Sequence, residues 1–273
     1  MANTTPLIEL FSIGTELVYG QIHDTNSFWM AKEIVGLGAR VRRITQLIDD
    51  REEIKQAFQT AVDRETDLAI CSGGLGPTPD DLTSEILAEI AGVTSIPHEN
   101  VIEDYMKRRG SHNREEMNPN LVRMATAPTT ARCLLNPVGW APCIALDVEQ
   151  TTFLALPGPP REMEAVFRRH VAPYISDRYE QRSATQRVLI NTHESSVAPF
   201  FEELKAEFPG SYMKGYIADQ STPGWLPVDI VAVGETSQEA HETLQAIIDA
   251  LRKKVEQIGK TVTVSPGSIE EMG

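Results

Sequence analysis

The sequence is poor in cysteine and has no pattern of metal-binding or nucleophilic residues of the common kinds. Its 273 residues contain three cysteines, Cys71, Cys133 and Cys143, with no CxxC pair among them. This spacing argues against a disulfide framework and a cysteine zinc site, and it suits a reducing compartment. The six histidines show no HxH or HxxxH pairing, and no serine lies in a GxSxG elbow. The sequence therefore predicts neither a histidine metal site nor a serine hydrolase.

Excess positive charge and long apolar runs are also absent. The 25 Lys and Arg residues are outnumbered by 39 Asp and Glu residues, which gives a formal net charge of -14. Such a chain repels a phosphate backbone unless a basic patch counters it, and no basic block is present, so we expect no nucleic acid partner. No run approaches the roughly 18 apolar residues of a membrane span, and the N-terminus does not resemble a signal peptide. We expect no membrane partner and a cytoplasmic location.

Alternating strand and helix patterns dominate the first part of the chain. Apolar runs at residues 7–13, 41–48 and 67–71 predict strands, and helical spacing of apolar residues fills the intervals between them. Three successive βα units predict an α/β fold whose mostly parallel sheet has helices on both faces. A polar stretch near residue 177 suggests a domain boundary. We predict an α/β domain at residues 1–176 and a small α+β module at 177–273, with a frayed tail after residue 260.

A glycine loop follows the third predicted strand and leads into an acidic helix start. The residues singled out there are Gly73, Gly74, Gly76, Thr78, Asp80 and Asp81. Glycine backbone and a helix N-terminus together favour phosphate, with Thr78 as the predicted N-cap and both aspartates in the first turn. Two carboxylates would repel a phosphate, however, unless a divalent cation such as Mg²⁺ lies between them. The alternative is that Asp80 and Asp81 only complement the helix dipole, which contributes about 0.3 to 1 kcal/mol.

Further candidate residues follow other predicted strands. They are Gly14, Glu16, Asn26, Asp49, Pro157 and Gly158. The carboxyl ends of parallel strands meet at one edge of a sheet, where ligands bind, so we expect these residues near the glycine loop. Three of them have a simpler interpretation as well: Glu16 as an ordinary loop carboxylate, Asp49 as a helix cap and Asn26 as a loop hydrogen-bonding residue.

Several of these stretches carry a resemblance to a known family. They are Gly14-Thr15-Glu16-Leu17, Asp24-Thr25-Asn26, Gly73-Gly74-Leu75-Gly76-Pro77-Thr78, Asp80-Asp81-Leu82-Thr83 and Leu156-Pro157-Gly158. In this order they resemble the N-terminal region of the competence/damage-inducible (CinA) family, whose molybdopterin-binding fold is shared with MogA and MoeA. The resemblance covers roughly residues 7–167. The module after residue 177 looks like the small KH-like domain of that family, although it lacks a GxxG loop.

The resemblance implies a three-layer MoaB/MogA-like domain and a metal-dependent pyrophosphatase that cleaves ADP-ribose to AMP and ribose 5-phosphate. By the same resemblance, Asp81 matches the aspartate after the glycine loop, Asp49 a second active-site aspartate and Glu16 the acidic residue of the first loop. The chain departs from the family at Cys143, where glycine is usual. It also lacks the C-terminal nicotinamide-mononucleotide deamidase domain, so we do not expect that activity.

The leading hypothesis is hydrolysis of a phosphoanhydride. Asp81, helped by Asp80, would hold Mg²⁺, Mn²⁺ or Co²⁺, and Glu16 or Asp49 would act as general base. One alternative is a molybdopterin-binding or adenylyl-transfer protein that uses the same pocket. Another is a non-catalytic, oligomeric nucleotide-binding scaffold. All three take a small nucleotide or pterin ligand, and related domains suggest a homo-oligomer, either a dimer or a trimer.

Overall fold

The computed structural model describes residues 7–110, 113–178, 182–216 and 223–265. The described chain forms two compact units. The first contains residues 7–35 and 39–178, and the second contains residues 182–216 and 223–265, with residues 36–38 grouped to it.

The first unit alternates strands and helices along the chain. Its strands are β1 (Leu7–Ile13), β2 (Arg40–Leu47), β3 (Leu68–Ser72), β4 (Ser95–Pro97), β5 (Thr126–Pro128), β6 (Arg132–Leu134), β7 (Cys143–Val148) and β8 (Thr151–Leu156). Its helices are α1 (Thr15–Val18), α2 (Thr25–Gly36), α3 (Arg51–Asp63), α4 (Thr83–Ile90), α5 (Glu99–Arg109), α6 (Pro119–Met124), α7 (Pro160–Val166) and α8 (Ala172–Arg178). Residues 114–116 form a 3₁₀ turn, and residues 167–171 form a π-helical turn.

A six-stranded sheet forms the centre of this unit. Its order is β2-β1-β3-β8-β7-β6, in which the first four strands are parallel, β7 is antiparallel to β8, and β6 is antiparallel to β7. Every residue of β3 and β8 is buried, as expected for strands covered on both faces. Phe58 from α3 packs edge-on against Phe11 of β1, with ring centroids 5.4 Å apart. The predicted α/β fold with a mostly parallel sheet is confirmed, and the four parallel strands end at the same edge.

The helix after the glycine loop begins four residues later than predicted. Thr78 was expected as its N-cap, but α4 starts at Thr83, after a turn. The N–H of Thr83 donates to the carbonyl of Gly74 at 3.1 Å, and its hydroxyl donates to the carbonyl of Gly73 at 2.8 Å. Because these bonds fix the helix start against the loop, Asp80 and Asp81 lie in the preceding turn rather than in the first helical turn.

The second unit is a four-stranded antiparallel sheet with two helices. Its elements are β9 (Arg182–Ile190), α9 (Glu194–Glu207), β10 (Tyr212–Gly215), β11 (Leu226–Gly234), α10 (Ser237–Gln257) and β12 (Val262–Val264), in the sheet order β10-β11-β9-β12. Thr236 and Glu239 form a capping box that starts α10. The predicted frayed tail is wrong at residues 262–264, because this β-branched Val-Thr-Val segment pairs with β9. Within the described ranges, no helix is long and apolar enough to cross a membrane.

Glu9 is a fully buried carboxylate on β1. Its Oε2 accepts a hydrogen bond from Arg64 Nη2 at 2.9 Å, and its Oε1 accepts one from the Thr66 hydroxyl at 3.0 Å. Arg43 is a more distant partner, at 3.9 Å, and its side chain is more exposed than that of Arg64. A buried carboxylate is costly without a close cation, so Arg64 is the partner on which Glu9 depends.

Replacing Arg64 by alanine should therefore destabilise the first unit by about 3 kcal/mol, because it leaves Glu9 buried without its close cation. The matched variant Arg43→Ala should lower the free energy of unfolding by less than about 1 kcal/mol. Urea unfolding of both variants measures the difference. Equal losses would contradict the assignment.

Asp24 caps the start of α2. Its Oδ1 accepts the N–H of Ser27 at 2.9 Å and its Oδ2 accepts the hydroxyl of the same residue at 2.6 Å. Partial burial raises the pKa of Asp24, but the hydrogen bonds from Ser27 and neighbouring polar groups outweigh it and hold the pKa below its usual value. The ionised carboxylate therefore stabilises the folded chain above its ordinary pKa.

The contribution of Asp24 should be lost as the pH falls through this lowered pKa. We expect Asp24→Ala to cost about 1 kcal/mol at pH 7, the usual loss for an N-cap. The difference in free energy of unfolding between wild type and variant should shrink toward pH 3. Urea titrations at several pH values measure it, and a difference that stays constant from pH 7 to pH 3 would argue against this role of the ionised carboxylate.

Candidate functional site

A cavity of about 460 Å³ lies at the carboxyl ends of the parallel strands. Such a volume is typical of small-molecule sites. Most of the residues singled out from the sequence line it: Gly14, Glu16, Asn26, Asp49, Gly73, Gly74, Gly76, Asp80, Asp81 and Gly158. The parallel sheet brings these residues together from positions up to 144 apart in the sequence, because their strands end at one edge.

Thr78 and Pro157 do not line the cavity, and both have supporting contacts instead. Thr78 donates its N–H and its hydroxyl to Asp81 Oδ2, at 2.8 and 2.5 Å. The carbonyl of Pro157 accepts the Ser72 hydroxyl at 3.2 Å. In this structure the two residues hold their neighbours, and their direct contact with a ligand stays a prediction.

The glycine loop forms the floor of the cavity and tolerates no side chain at its first two positions. Gly73 has φ +106°, and a Cβ there would lie 2.2 Å from the carbonyl oxygen of Ile13. Gly74 has φ +67°, and a Cβ there would lie 2.2 Å from the Thr83 hydroxyl oxygen. The loop therefore packs directly on the end of β1 and on the start of α4, with its backbone exposed to the cavity.

The two aspartates after the loop differ in environment. Asp81 is half-buried and its carboxylate lies against Gly76, where a Cβ would be 2.5 Å from Oδ2. Its Oδ1 has no hydrogen-bond partner among the described residues. Asp80 is exposed, and the one proton of the Thr78 hydroxyl is donated to Asp81. Both carboxylates keep oxygen atoms available for a ligand.

Asp49 supports the first loop. Its Oδ2 accepts the N–H of Thr15 at 2.7 Å and the Thr15 hydroxyl at 2.9 Å, while its own N–H donates to that hydroxyl at 3.1 Å. The cap of α3 is Asp50, whose carboxylate accepts the N–H groups of residues 52 and 53. Asp49 therefore fixes the loop after β1 and also lines the cavity.

Glu16 is exposed at the cavity edge, and its side chain folds back over Gly14. A Cβ at position 14 would lie 2.6 Å from Glu16 Oε1. The side chain of Glu16 forms no hydrogen bond or ion pair with any described residue. Gly14 thus leaves the space that this carboxylate occupies, and the carboxylate is free to act on a ligand.

Asn26 joins two loops at the cavity wall. Its Nδ2 donates to the Ser72 hydroxyl at 2.8 Å and to the carbonyl of Gly158 at 2.7 Å. Its Oδ1 and the hydroxyl of Ser12 are buried and have no hydrogen-bond partner in the described structure. Asn26 therefore ties α2 to the loops after β3 and β8, and its amide orientation follows from the carbonyl that it binds.

Five polar lining residues were not among the predicted site residues: Ser12, His23, Asp24, Thr25 and Ser72. Asp24 was recognisable, because an Asp followed three residues later by Ser27 at a helix start is an N-cap pattern. Ser12 and Ser72 are polar residues near the ends of apolar strands. This signal is weak, because it can be interpreted only when the register of the sheet is known. No sequence pattern distinguished His23 from the other histidines.

The charge of the cavity is one-sided. Five carboxylates line it, those of Glu16, Asp24, Asp49, Asp80 and Asp81, whereas the described lining contains no Lys or Arg and a single His. Oxygen donors of this kind suit Mg²⁺ and similar hard cations. No group of three His, Cys, Asp or Glu side chains in the described residues is arranged to hold a metal by itself. Cations that bind through one or two carboxylates complete their coordination with water and phosphate oxygens.

Comparisons with known proteins agree with this architecture. Residues 9–177 match the MoCF_biosynth family, described as "Probable molybdopterin binding domain". A protein of Pyrobaculum calidifontis is 34% identical over 256 residues, which cover 93% of this chain and 96% of the relative. A protein of Halothermothrix orenii named as competence-damage inducible is 32% identical over 269 residues, 97% of this chain and 63% of the relative.

A solved structure of CinA from Thermoplasma acidophilum, described as a protein of unknown function, matches with a TM-score of 0.57 and 32% identity. The match covers 63% of this chain and 98% of that one. The family match spans more than half of the chain and includes the glycine loop and the carboxylates of the cavity. The chain belongs to the MoCF_biosynth family of molybdopterin-binding domains, in the branch of the CinA competence-damage inducible proteins.

Proposed function

We propose that the cavity binds a phosphate-bearing pterin or nucleotide through a divalent cation. The observation that supports this most directly is the combination of a glycine loop with five carboxylates and no Lys or Arg in the described lining. Two unit charges about 6 Å apart still repel by about 3 kcal/mol at an effective dielectric constant of 20. A phosphate therefore needs a cation of its own to approach these carboxylates, while the glycine loop offers it backbone N–H groups.

The donor set fits Mg²⁺, Mn²⁺ or Co²⁺. Asp81 would hold the cation with its unpartnered oxygen, helped by the exposed carboxylate of Asp80. A bound cation would neutralise phosphate oxygens and polarise a water molecule. Thr78 keeps the Asp81 carboxylate in one orientation through two hydrogen bonds, so little reorganisation is needed on binding.

Hydrolysis of a nucleotide pyrophosphate, with ADP-ribose as the proposed substrate, is the catalytic form of this proposal. Glu16 is the better candidate for the general base, because its carboxylate is exposed and free of hydrogen bonds. Asp49 already accepts two hydrogen bonds from Thr15. The amides of the loop from Gly74 to Gly76 would stabilise charge that develops on a phosphoryl oxygen. Products would be AMP and ribose 5-phosphate.

The second candidate is binding or adenylyl transfer of molybdopterin without hydrolysis. The match to a family described as molybdopterin binding favours it, and the cavity volume suits a pterin phosphate as well as a nucleotide. A non-catalytic nucleotide-binding scaffold, and a dimeric or trimeric assembly, also stay predictions. Ligand identity and product formation separate these functions.

Ligand binding should depend on the cation and on the charge of Asp81. Calorimetry with ADP-ribose, AMP and a pterin phosphate should show binding in the presence of Mg²⁺, Mn²⁺ or Co²⁺ and its loss with a chelator. Asp81→Asn keeps an oxygen for Thr78 but removes the charge, and we expect it to weaken binding tenfold or more, about 1.4 kcal/mol. Ligand binding that is unchanged both by the chelator and by Asp81→Asn would refute the proposal.

Mass spectrometry of the same mixtures separates the two candidates. Release of AMP from ADP-ribose supports hydrolysis, whereas pterin binding with no product supports the second candidate.

Substitutions of Glu16 and Asp49 should have different effects on stability and turnover. Glu16→Gln should change the free energy of unfolding by less than about 0.5 kcal/mol, since its side chain has no partner in the described structure. If Glu16 is the general base, Glu16→Gln should also lower turnover by about 10²-fold or more. Asp49→Ala should cost about 1 to 3 kcal/mol, because Thr15 loses its acceptor. Thermal unfolding and AMP release measure both properties, and full turnover in Glu16→Gln would exclude it as the base.

A further inference from the structure

An arginine on a neighbouring helix contacts the segment that carries Asp81. Arg123 lies in α6, and its Nη2 lies 3.4 Å from the carbonyl oxygen of Asp81 and 3.2 Å from Glu85 Oε1. Arg123 lines a second, small cavity of about 50 Å³, which shares Asp81 and the loop residues 74–76 with the ligand cavity. Arg123 therefore reaches the backbone of Asp81 from outside the ligand cavity.

The contact continues as a chain of ion pairs across three helices. One carboxylate oxygen of Glu85 in α4 pairs with Arg123. Its other oxygen pairs with Arg51 at 2.7 Å. Arg51 is the first residue of α3 and also pairs with Glu89. It follows Asp49 by two residues. The chain of charges thus links the segment that carries Asp49 to the segment that carries Asp81.

A contribution to global stability does not explain this chain of ion pairs. The side chains of Arg123 and Glu85 are 38% and 45% exposed, and pairs of that exposure contribute about 0 to 1 kcal/mol. The turn at residues 78–80 is exposed, and its own hydrogen bonds run between Thr78 and Asp81. Among the described residues, Arg123 is the side chain from outside residues 78–81 that hydrogen-bonds this segment, at the carbonyl of Asp81.

We propose that Arg123 is a positioning residue for Asp81. Its guanidinium, oriented by Glu85, holds the Asp81 carbonyl and so keeps the half-buried carboxylate facing the ligand cavity. This inference rests on the proposed role of Asp81 in holding a divalent cation, and it extends that site to a residue that touches neither cation nor ligand. Loss of such an outer partner typically weakens metal binding by 10- to 100-fold.

The test compares Arg123→Met, Arg123→Lys and wild type as full-length chains. Methionine keeps the apolar stem but removes the donors and the charge, while lysine keeps a charge and can reach one acceptor. The first measurement is hydrogen exchange of the amides in the segment 78–83, those of residues 78 and 80–83, which needs no ligand. The second is the dissociation constant of Mn²⁺ alone by calorimetry. Arg64→Ala is the control, because it removes the ion pair with Glu9 near the start of β1, whereas the ligand cavity lies at the end of that strand.

We expect Arg123→Met to speed exchange at residues 78–83 and to raise the Mn²⁺ dissociation constant about tenfold, with little change in the thermal midpoint. Arg123→Lys should recover part of both effects. The control should lose global stability and keep the wild-type dissociation constant. Unchanged exchange at these amides in Arg123→Met overturns the inference. The inference is also overturned if Asp81→Asn weakens Mn²⁺ binding while Arg123→Met leaves the Mn²⁺ dissociation constant unchanged.

If wild type binds no Mn²⁺, the cation role of Asp81 fails, and the claim that Arg123 positions a cation ligand is overturned with it. The exchange measurement still separates the two failures, because faster exchange in Arg123→Met would show that Arg123 orders the segment for another purpose.

Discussion

Charge repulsion at the end of the sheet is the constraint on which the site depends. Four parallel strands deliver their following loops to one edge, and five of the side chains there are carboxylates with no lysine or arginine in the described lining. Each carboxylate must be held by hydrogen bonds or left in contact with solvent. Asp24, Asp49 and Asp81 are held by donors from Ser27, Thr15 and Thr78, whereas Glu16 and Asp80 are exposed. The cavity therefore has fixed acidic groups at its wall and free ones at its rim.

The backbone of the glycine loop makes this arrangement possible. Thr83 donates to the carbonyls of Gly73 and Gly74, which sets the start of α4 and leaves the preceding turn to present Asp81. Gly73 also packs against the last residue of β1 with no room for a Cβ. The loop is thus fixed from both ends by contacts made through its backbone. A larger residue at either glycine would move the floor of the cavity and the aspartates together.

Local patterns predicted the strands, the glycine loop and the family, because each depends on residues close in sequence. The buried run before Cys71 is a strand, and most of the candidate residues meet at one cavity because parallel strands have a common edge. The start of α4 was not predictable in the same way. Thr78 is a good N-cap by type, but α4 starts at Thr83, because the N–H and hydroxyl of Thr83 are bound by the carbonyls of Gly74 and Gly73. Asp50 rather than Asp49 caps α3 for a similar reason, since Asp49 is already engaged by Thr15.

Contacts between distant segments account for what the sequence could not predict about the site. Arg123 is 42 residues from Asp81 and 38 from Glu85, and nothing in its local pattern distinguishes it from other arginines of helix ends. Its importance follows from position: the carbonyl that it contacts belongs to the residue whose carboxylate faces the cavity. A partly exposed ion pair adds little to the free energy of folding. The same pair can still determine where one carboxylate oxygen lies, because a cation site depends on the placement of its oxygen ligands. Local placement and global stability are thus separate properties of this chain, and the residues that serve one need not serve the other.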